Sequence, residues 1–247
     1  MSELYLSVII PAYDEEKRLG ASLEAIADYL GRQSYASEII AVNDGSTDGT
    51  LEVLHSFQVK YPAIRIISYP NNRGKGYAVR QGILSAKGLY TLFTDADLNT
   101  PMEEVKKLFT AINGGADVAI GSRMAPGAAK IVRRPWIRRI GSKGLNLAIR
   151  LLAVPGIGDT QCGFKLFKAE AGRDIFGRSF LERFSFDVEI LYLARKLGYS
   201  VAEIPIAWFY RGGSKVRPFQ DGLRFLKDII KIRTHDYHVS AKPRSIG

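Results

Sequence analysis

The sequence has little with which to cross-link or coordinate. A single cysteine, Cys162, in 247 residues excludes an internal disulfide and any paired-cysteine zinc or redox site. It also fits a reducing compartment. Three histidines, His55, His235 and His238, are too few for a histidine-rich metal centre. No apolar run reaches the roughly 18 residues of a spanning helix. The N-terminus lacks the basic start and cleavage site of a signal peptide. No G-x-G-x-x-G follows the first apolar run, which argues against a nicotinamide-binding Rossmann protein, and the G-x-x-x-x-G-K-[ST] spacing of a P-loop is missing. The absence of a helix-turn-helix, zinc or RNA-binding motif argues against a nucleic-acid partner.

What is present is ordinary globular composition, 46% hydrophobic and 24% charged, with a formal charge of +10. That excess calls for an anionic partner. Short apolar runs at 5–10, 38–43, 64–68, 89–94 and 116–121 alternate with helical patterns at 15–31, 48–60, 75–87 and 101–113. Strands alternating with helices predict an α/β fold, a mostly parallel sheet flanked by helices. Thr100-Pro101-Met102-Glu103 predicts a capped helix start, with Glu103 as the capping-box acid. The second half is less regular. It predicts a helix from Pro135 to about 153, a strand at 163–168, a helix at 186–197, a strand at 200–207 and a helix from Pro218 to 233. Residues 234–247 read as a flexible tail, and 1–233 as one domain.

Ligands of open α/β sheets bind beyond the carboxyl ends of strands. Three polar clusters fall there: Pro11–Glu16, Asn43–Gly49 and Asp95–Asn99. Asp95 and Asp97, one residue apart in a loop, can converge on one divalent cation. Oxygen ligands suit Mg²⁺ or Mn²⁺, which also take substrate phosphates. Asp44 is either a turn residue or an acceptor for a base or ribose. Asn71–Gly76 is either a plain loop leading into a helix start or a loop whose glycines let backbone approach a phosphate, with Lys75 adding charge.

The runs VIIPAYDEE (8–16), VNDGSTDGT (42–50), NNRGKGYAVRQG (71–82) and TDADLNTP (94–101) resemble those of inverting GT-A-fold glycosyltransferases that use a nucleotide sugar. GSRM (121–124), GIGDTQCGFKLF (156–167), FSFDVEILYLA (184–194) and EIPIAWFYRGGSKV (203–216) narrow the resemblance to the dolichyl-phosphate sugar transferase group, and within it to the glucosyl branch. It covers about residues 5–233. It implies a GT-A fold with a mixed, mostly parallel sheet, a nucleotide-sugar half over 1–121 and an acceptor half over 122–233. Pro11, Tyr13, Glu15, Val42 and Asp44 would hold the nucleoside. Asp95, Ala96 and Asp97 would meet the diphosphate through metal, with Asn99 as a further ligand. Arg123, Arg211 and Lys215 would bind substrate phosphates, and Arg138 and Ser142 the acceptor phosphate. Asn43 departs from a second Asp common in relatives, and Asn99 from a common Gln. The interval from Arg211 to Lys215 is shorter than in the mannosyl branch. Eukaryotic glucosyl members carry an N-terminal membrane helix, for which this sequence has no apolar run.

The implied reaction is glucose transfer from UDP-glucose to a polyprenyl (dolichyl-type) phosphate. GDP-mannose as donor is one alternative. A hydroxyl acceptor with Asp187 as base is another. A phosphate monoester has its second pKa near 6, so it is already an anionic nucleophile at neutral pH. The need is then for charge neutralisation rather than a base, which arginines meet with bidentate contacts. No Asp or Glu occurs from Val118 to Gly158, where Arg123, Lys130, Arg133, Arg134, Arg138, Arg139, Lys143 and Arg150 lie. For Asp187 and Glu189 a positioning or arginine-pairing role follows. Two basic apolar stretches suit a membrane interface: Trp136, Ile137, Ile140, Leu147 and Leu151, then Phe219, Leu223, Phe225, Leu226, Ile229 and Ile230. Helices packed on the core are the competing reading. The expected location is cytoplasmic, peripheral on a membrane's cytoplasmic face.

Overall fold

The structure, a computed structural model, describes residues 3–129, 154–209 and 218–238. Strand β1 (Leu6–Ala12) is buried along its whole length, as a central parallel strand must be. Helix α1 (Glu16–Gly31), β2 (Ser37–Asp44), α2 (Thr50–Lys60), β3 (Ile64–Tyr69), α3 (Lys75–Ser85) and β4 (Tyr90–Thr94) follow. A 3₁₀ turn (Met102–Glu104) leads into α4 (Val105–Asn113), then β5 (Val118–Ser122). After residue 153 come β6 (Phe164–Lys168), α5 (Ala169–Arg178), α6 (Phe186–Lys196), β7 (Val201–Pro205) and α7 (Pro218–Thr234).

The strands form one sheet in the order β3-β2-β1-β4-β6-β5-β7. β1 pairs in parallel with β2 on one side and β4 on the other. β6 runs antiparallel to β4 and to β5, which makes the sheet mixed. The pleat sends alternate side chains to two cores. Ile9, Val42, Phe93, Ile120 and Phe167 meet α3, α5, α6 and α7. Val8, Ile10, Ala41, Leu92 and Leu166 meet α1, α2 and α4.

Several expectations need correction. The capping box at Thr100–Glu103 does not form. Pro101 is extended, a 3₁₀ turn opens the helix, and no side chain caps it. The acids there face elsewhere: Glu103 lies 3.8 Å from the Arg32 guanidinium, and Glu104 takes the Ala207 N–H at 3.2 Å and Lys107 at 2.7 Å. Helix α5 has no counterpart in the sequence reading: it is only ten residues long and its buried face is Ala171, Gly172, Ile175 and Phe176. The tail does not begin at 234. Tyr237 is 3% exposed, packs near Phe180 and Tyr192, and donates to buried Glu189 at 3.1 Å. Residues 239–247 and the helix expected over 135–153 lie outside the described residues.

Candidate active site

Strand order reverses at β1, whose neighbours β2 and β4 lie on opposite sides. The crevice beyond β1 and β4 is therefore the topological switch point, where open sheets bind ligands. The loop after β1 carries Tyr13–Glu15 and the loop after β4 carries Asp95–Asn99.

The two acids are in electrostatic contact. Burial, and then the Asp95 charge, hold the Asp97 carboxyl above the usual carboxylate range. Leu98 between Asp97 and Asn99 adopts φ 42°, the strained region that tight functional loops use. Asn99 donates its backbone N–H to Asp97 Oδ1 at 3.3 Å and its amide N–H to Asp97 Oδ2 at 2.6 Å. It thus buttresses Asp97 through its two N–H donors. Among the described residues no group of three or more His, Cys, Asp or Glu converges. Two partly exposed carboxylates remain a fitting donor set for Mg²⁺ or Mn²⁺.

Asp95 is fixed from behind by Gly163, the residue before β6. Its N–H donates to the Gly163 carbonyl oxygen at 3.2 Å, and a Cβ built on Gly163 would lie 2.0 Å from Asp95 Oδ2. Only glycine leaves space for that carboxylate. In front, the Lys75 ammonium meets Asp95 Oδ1 at 2.6 Å. Burial alone would lower the Lys75 pKa, but the Asp95 and Asp187 charges outweigh it and raise it. Arg18, held by an ion pair to Glu15, places a further positive charge within reach of Asp97 and Asp95.

The nucleoside residues divide. Tyr13 is half-buried at the crevice, where the Asp14 charge raises its hydroxyl pKa. Pro11 lies in β1 opposite Val42, and Val42 and Ala96 are core side chains. The Glu15 carboxylate belongs to Arg18, and its N–H donates to Thr50 Oγ1 at 2.7 Å. Asp14 accepts from the Thr47 N–H at 2.9 Å, so the loops after β1 and β2 are laced together. Asp44 is 3% exposed and accepts from Arg73 N–H at 2.9 Å, Gly74 N–H at 2.8 Å and the Asn72 amide at 2.9 Å. Of its two readings, turn and nucleoside acceptor, the geometry favours a loop anchor. Of the two readings of the 71–76 glycines, the geometry favours the loop leading into a helix start. A Cβ on Gly74 would lie 2.6 Å from the Glu182 carbonyl oxygen and one on Gly76 2.5 Å from that of Leu181. Those glycines admit neighbouring backbone.

Arg123 commits Nε and Nη2 to Asp159, each at 2.7 Å, and its N–H to the same carboxylate at 2.9 Å. Burial pushes Asp159 up, but Arg123 outweighs it and holds the carboxyl below its usual range. The Arg123 side-on edge is therefore unavailable to a phosphate fork, and Trp208 lies 5.5 Å from its guanidinium. Glu203 of β7 fixes the loop that carries Asp159, accepting from the Gly158 and Asp159 N–H groups at 2.7 and 2.8 Å. The Phe209 N–H donates to the Asn99 carbonyl oxygen at 2.8 Å. Arg211 is two residues further on. Arg138, Ser142, Arg211 and Lys215 themselves lie outside the described residues, as do the basic residues from Lys130 to Arg150.

Asp187 is 3% exposed and paired with fully buried Lys165, so its partner is a lysine, not an arginine. Glu189 accepts from Phe180 and Leu181 N–H at 3.0 and 2.9 Å, a purely architectural use. Nothing local in the sequence marks Lys165, Gly163, Asp159 or Arg18 as part of the site; the first three share the run GIGDTQCGFKLF. No described helix is long and apolar enough to cross a membrane. In α7, Phe225 and Ile229 are core residues, while Ile230 is 63% exposed beside exposed Lys227 and Lys231. For the first two, packing on the core replaces the interfacial reading.

Comparison with known proteins bears on this geometry. Residues 7–176 match the family model for glycosyl transferase family 2. A dolichyl-phosphate beta-glucosyltransferase of Dictyostelium discoideum is 39% identical over 94% of this chain and 75% of its own length. The Homo sapiens protein of that name is 38% identical over 92% and 74%. Among solved structures, mannosyl-3-phosphoglycerate synthase from Rubrobacter xylanophilus superposes with TM-score 0.70 at 17% identity, over 99% of this chain and 78% of that one. Glucosyl-3-phosphoglycerate synthase from Mycobacterium tuberculosis, in complex with Mn²⁺ and UDP-glucose, gives 0.67 at 17%, over 93% and 79%. At that identity these two establish the fold, which is GT-A.

Proposed function

The chain belongs to glycosyl transferase family 2 and is a glycosyltransferase, and from that premise we propose that it transfers glucose from UDP-glucose to a dolichyl-type polyprenyl phosphate. The reaction is metal-dependent and inverts the anomeric centre. The observation that carries this reading is the Asp95–Asp97 pair at the β1–β4 switch point, in a chain about two-fifths identical to dolichyl-phosphate beta-glucosyltransferases. The Mycobacterium tuberculosis neighbour with Mn²⁺ and UDP-glucose supports the donor and the ion.

Asp95 and Asp97 would hold Mg²⁺ or Mn²⁺, which supplies charge neutralisation to a nucleoside diphosphate. Tyr13 and the laced loops after β1 and β2 border the nucleoside. Lys75 and Arg18 add permanent positive charge around the diphosphate, where charge develops as the anomeric bond breaks. The acceptor phosphate attacks in line as an anion and needs no base. This favours a phosphate over a hydroxyl acceptor, because Asp187 is buried against Lys165 and its carboxylate is already committed. Arg138, Ser142, Arg211 and Lys215 would receive the acceptor and donor phosphates. The enzyme would work on the cytoplasmic face of a membrane as a peripheral protein, with the basic end of α7 contributing to the contact.

The test is a donor panel. The full chain is incubated with radiolabelled UDP-glucose or GDP-mannose and a short polyprenyl phosphate, with and without chelator. Chelator-sensitive transfer from UDP-glucose alone is expected. Transfer from GDP-mannose only, or to hydroxyl acceptors only, overturns the assignment.

A further inference from the structure

Lys75 is the first residue of α3, and its position is determined from three sides. Asp44 anchors the preceding turn through the Arg73 and Gly74 N–H groups. On the other side, Tyr77 N–H donates to the Glu182 carbonyl oxygen at 3.0 Å. Gly74, at φ 116°, lets that carbonyl approach. The side chain then runs past Phe93 and Phe186, its ammonium 5.1 and 6.0 Å from their ring centres, to Asp95 Oδ1 at 2.6 Å. The charged groups around it are Asp95, Asp97 and Asp187.

The Asp95 carboxylate lies flat against Gly163, whose hypothetical Cβ would sit within 2.5 Å of both oxygens and of Cγ. One face of the carboxylate is therefore walled off, and on the remaining side the ammonium already occupies Oδ1. A divalent ion bonds oxygen at about 2.1 Å. A cation there and an ammonium on the same small carboxylate repel each other. We propose that Lys75 and the divalent cation are alternative partners of Asp95. The lysine yields the carboxylate when metal and nucleotide enter together, because the diphosphate gives the displaced ammonium a new anion. Bare metal must displace Lys75 with nothing to offer it, so it binds poorly. Metal and nucleoside diphosphate then tighten each other's binding reciprocally, as linkage requires. Lys75 is thereby a positioning residue that enforces joint loading. This inference rests on the acid pair being the cation site of the transfer reaction.

The test reads Mn²⁺ binding directly, by electron paramagnetic resonance of free Mn²⁺, with and without UDP. It uses the full chain as wild type, Lys75→Met, Lys75→Gln and Arg18→Gln. Lys75→Met should bind bare Mn²⁺ about tenfold more tightly than wild type, the scale of one charge-assisted hydrogen bond. It should also lose most of the tightening that UDP confers on wild type. Lys75→Gln, which keeps a polar tip, should follow in the same direction and serves if the methionine variant does not fold. Arg18→Gln, which removes a neighbouring charge of the same sign, should change bare Mn²⁺ affinity by less than about threefold. Unchanged or weaker Mn²⁺ binding in both Lys75 variants overturns the proposal, as does an equal gain in Arg18→Gln. Failure of wild type to bind Mn²⁺ even with UDP would instead remove the cation site on which the proposal stands.

Discussion

Lys165, which exposes none of its surface, directs its ammonium at the Asp187 carboxylate and at the Cys162 carbonyl oxygen, the latter at 2.6 Å. The pair lies under the acid loop. Lys165 is on β6, the reversed strand beside β4, and Asp187 is in the first turn of α6. Removing one charge strands the other in the interior, which typically costs about 3–5 kcal/mol. Asp187→Asn should therefore lower the urea midpoint strongly. Lys165→Met should do the same, and the double variant Lys165→Met/Asp187→Leu should recover much of the loss. For the folded fraction, Asp187→Asn should cost less turnover than Asp97→Asn. Equal turnover losses with unchanged stability would mark Asp187 as a base after all.

Gly163→Ala tests how closely Asp95 is held. The added methyl would begin 2.0 Å from Asp95 Oδ2, on backbone held by the start of β6, so the carboxylate must move. A displacement of about 1 Å near a reacting centre can cost about 100-fold in rate. The expected outcome is loss of transfer on that scale, with Mn²⁺–UDP binding weakened in parallel and the far-ultraviolet circular dichroism retained. Wild-type binding of Mn²⁺–UDP would show that the acid pair tolerates the shift.

Much of the parallel half of the fold was legible because β1, β2 and β4 are buried runs and α1 carries a clean stripe. The Leu19, Leu23, Ile26 stripe of α1 is buried as its spacing predicts. Strand ends likewise located the acid pair. What stayed illegible depends on partners remote in sequence. Nothing local shows that Arg123 would be claimed by Asp159, 36 residues on, or that Asp44 would serve a loop 28 to 30 residues away. The same motif residue can bind a ligand or a neighbour, and only the tertiary contact decides. Tyr237 is the converse case: an aperiodic tail segment becomes ordered because Glu189 and three aromatic rings receive it.

The Arg123–Asp159 pair should be visible in the pH dependence of stability. The Asp159 carboxyl sits below its ordinary value of about 3.9. A depressed carboxyl contributes stability that is complete above the ordinary value and is lost as pH falls through the folded-state value. Asp159→Asn lacks that contribution and should be less stable by about 3 kcal/mol at neutral pH. The gap from wild type should stay level from about pH 5 upward and close in more acid solution. Urea melts of both proteins across the acid range check this. A gap that widens toward low pH would have the wrong sign for a salt-bridged carboxylate.

Asp44→Asn separates the two roles open to that residue. As a loop anchor, the carboxylate receives two backbone N–H groups and one amide. Replacing one oxygen by an NH₂ group turns a donor toward a donor, and an unsatisfied buried polar group costs about 1–3 kcal/mol. The loss should therefore appear in the unliganded protein. It should be accompanied by faster hydrogen exchange at Arg73, Gly74 and the first turn of α3, since those groups lose their acceptor. A nucleoside ligand behaves differently: its substitution leaves the unliganded melt alone and raises only the KM for the donor. Unliganded stability is thus the discriminating measurement. A melt identical to wild type, with UDP binding weakened, would return Asp44 to the nucleoside and leave the Lys75 turn anchored from the Glu182 side alone.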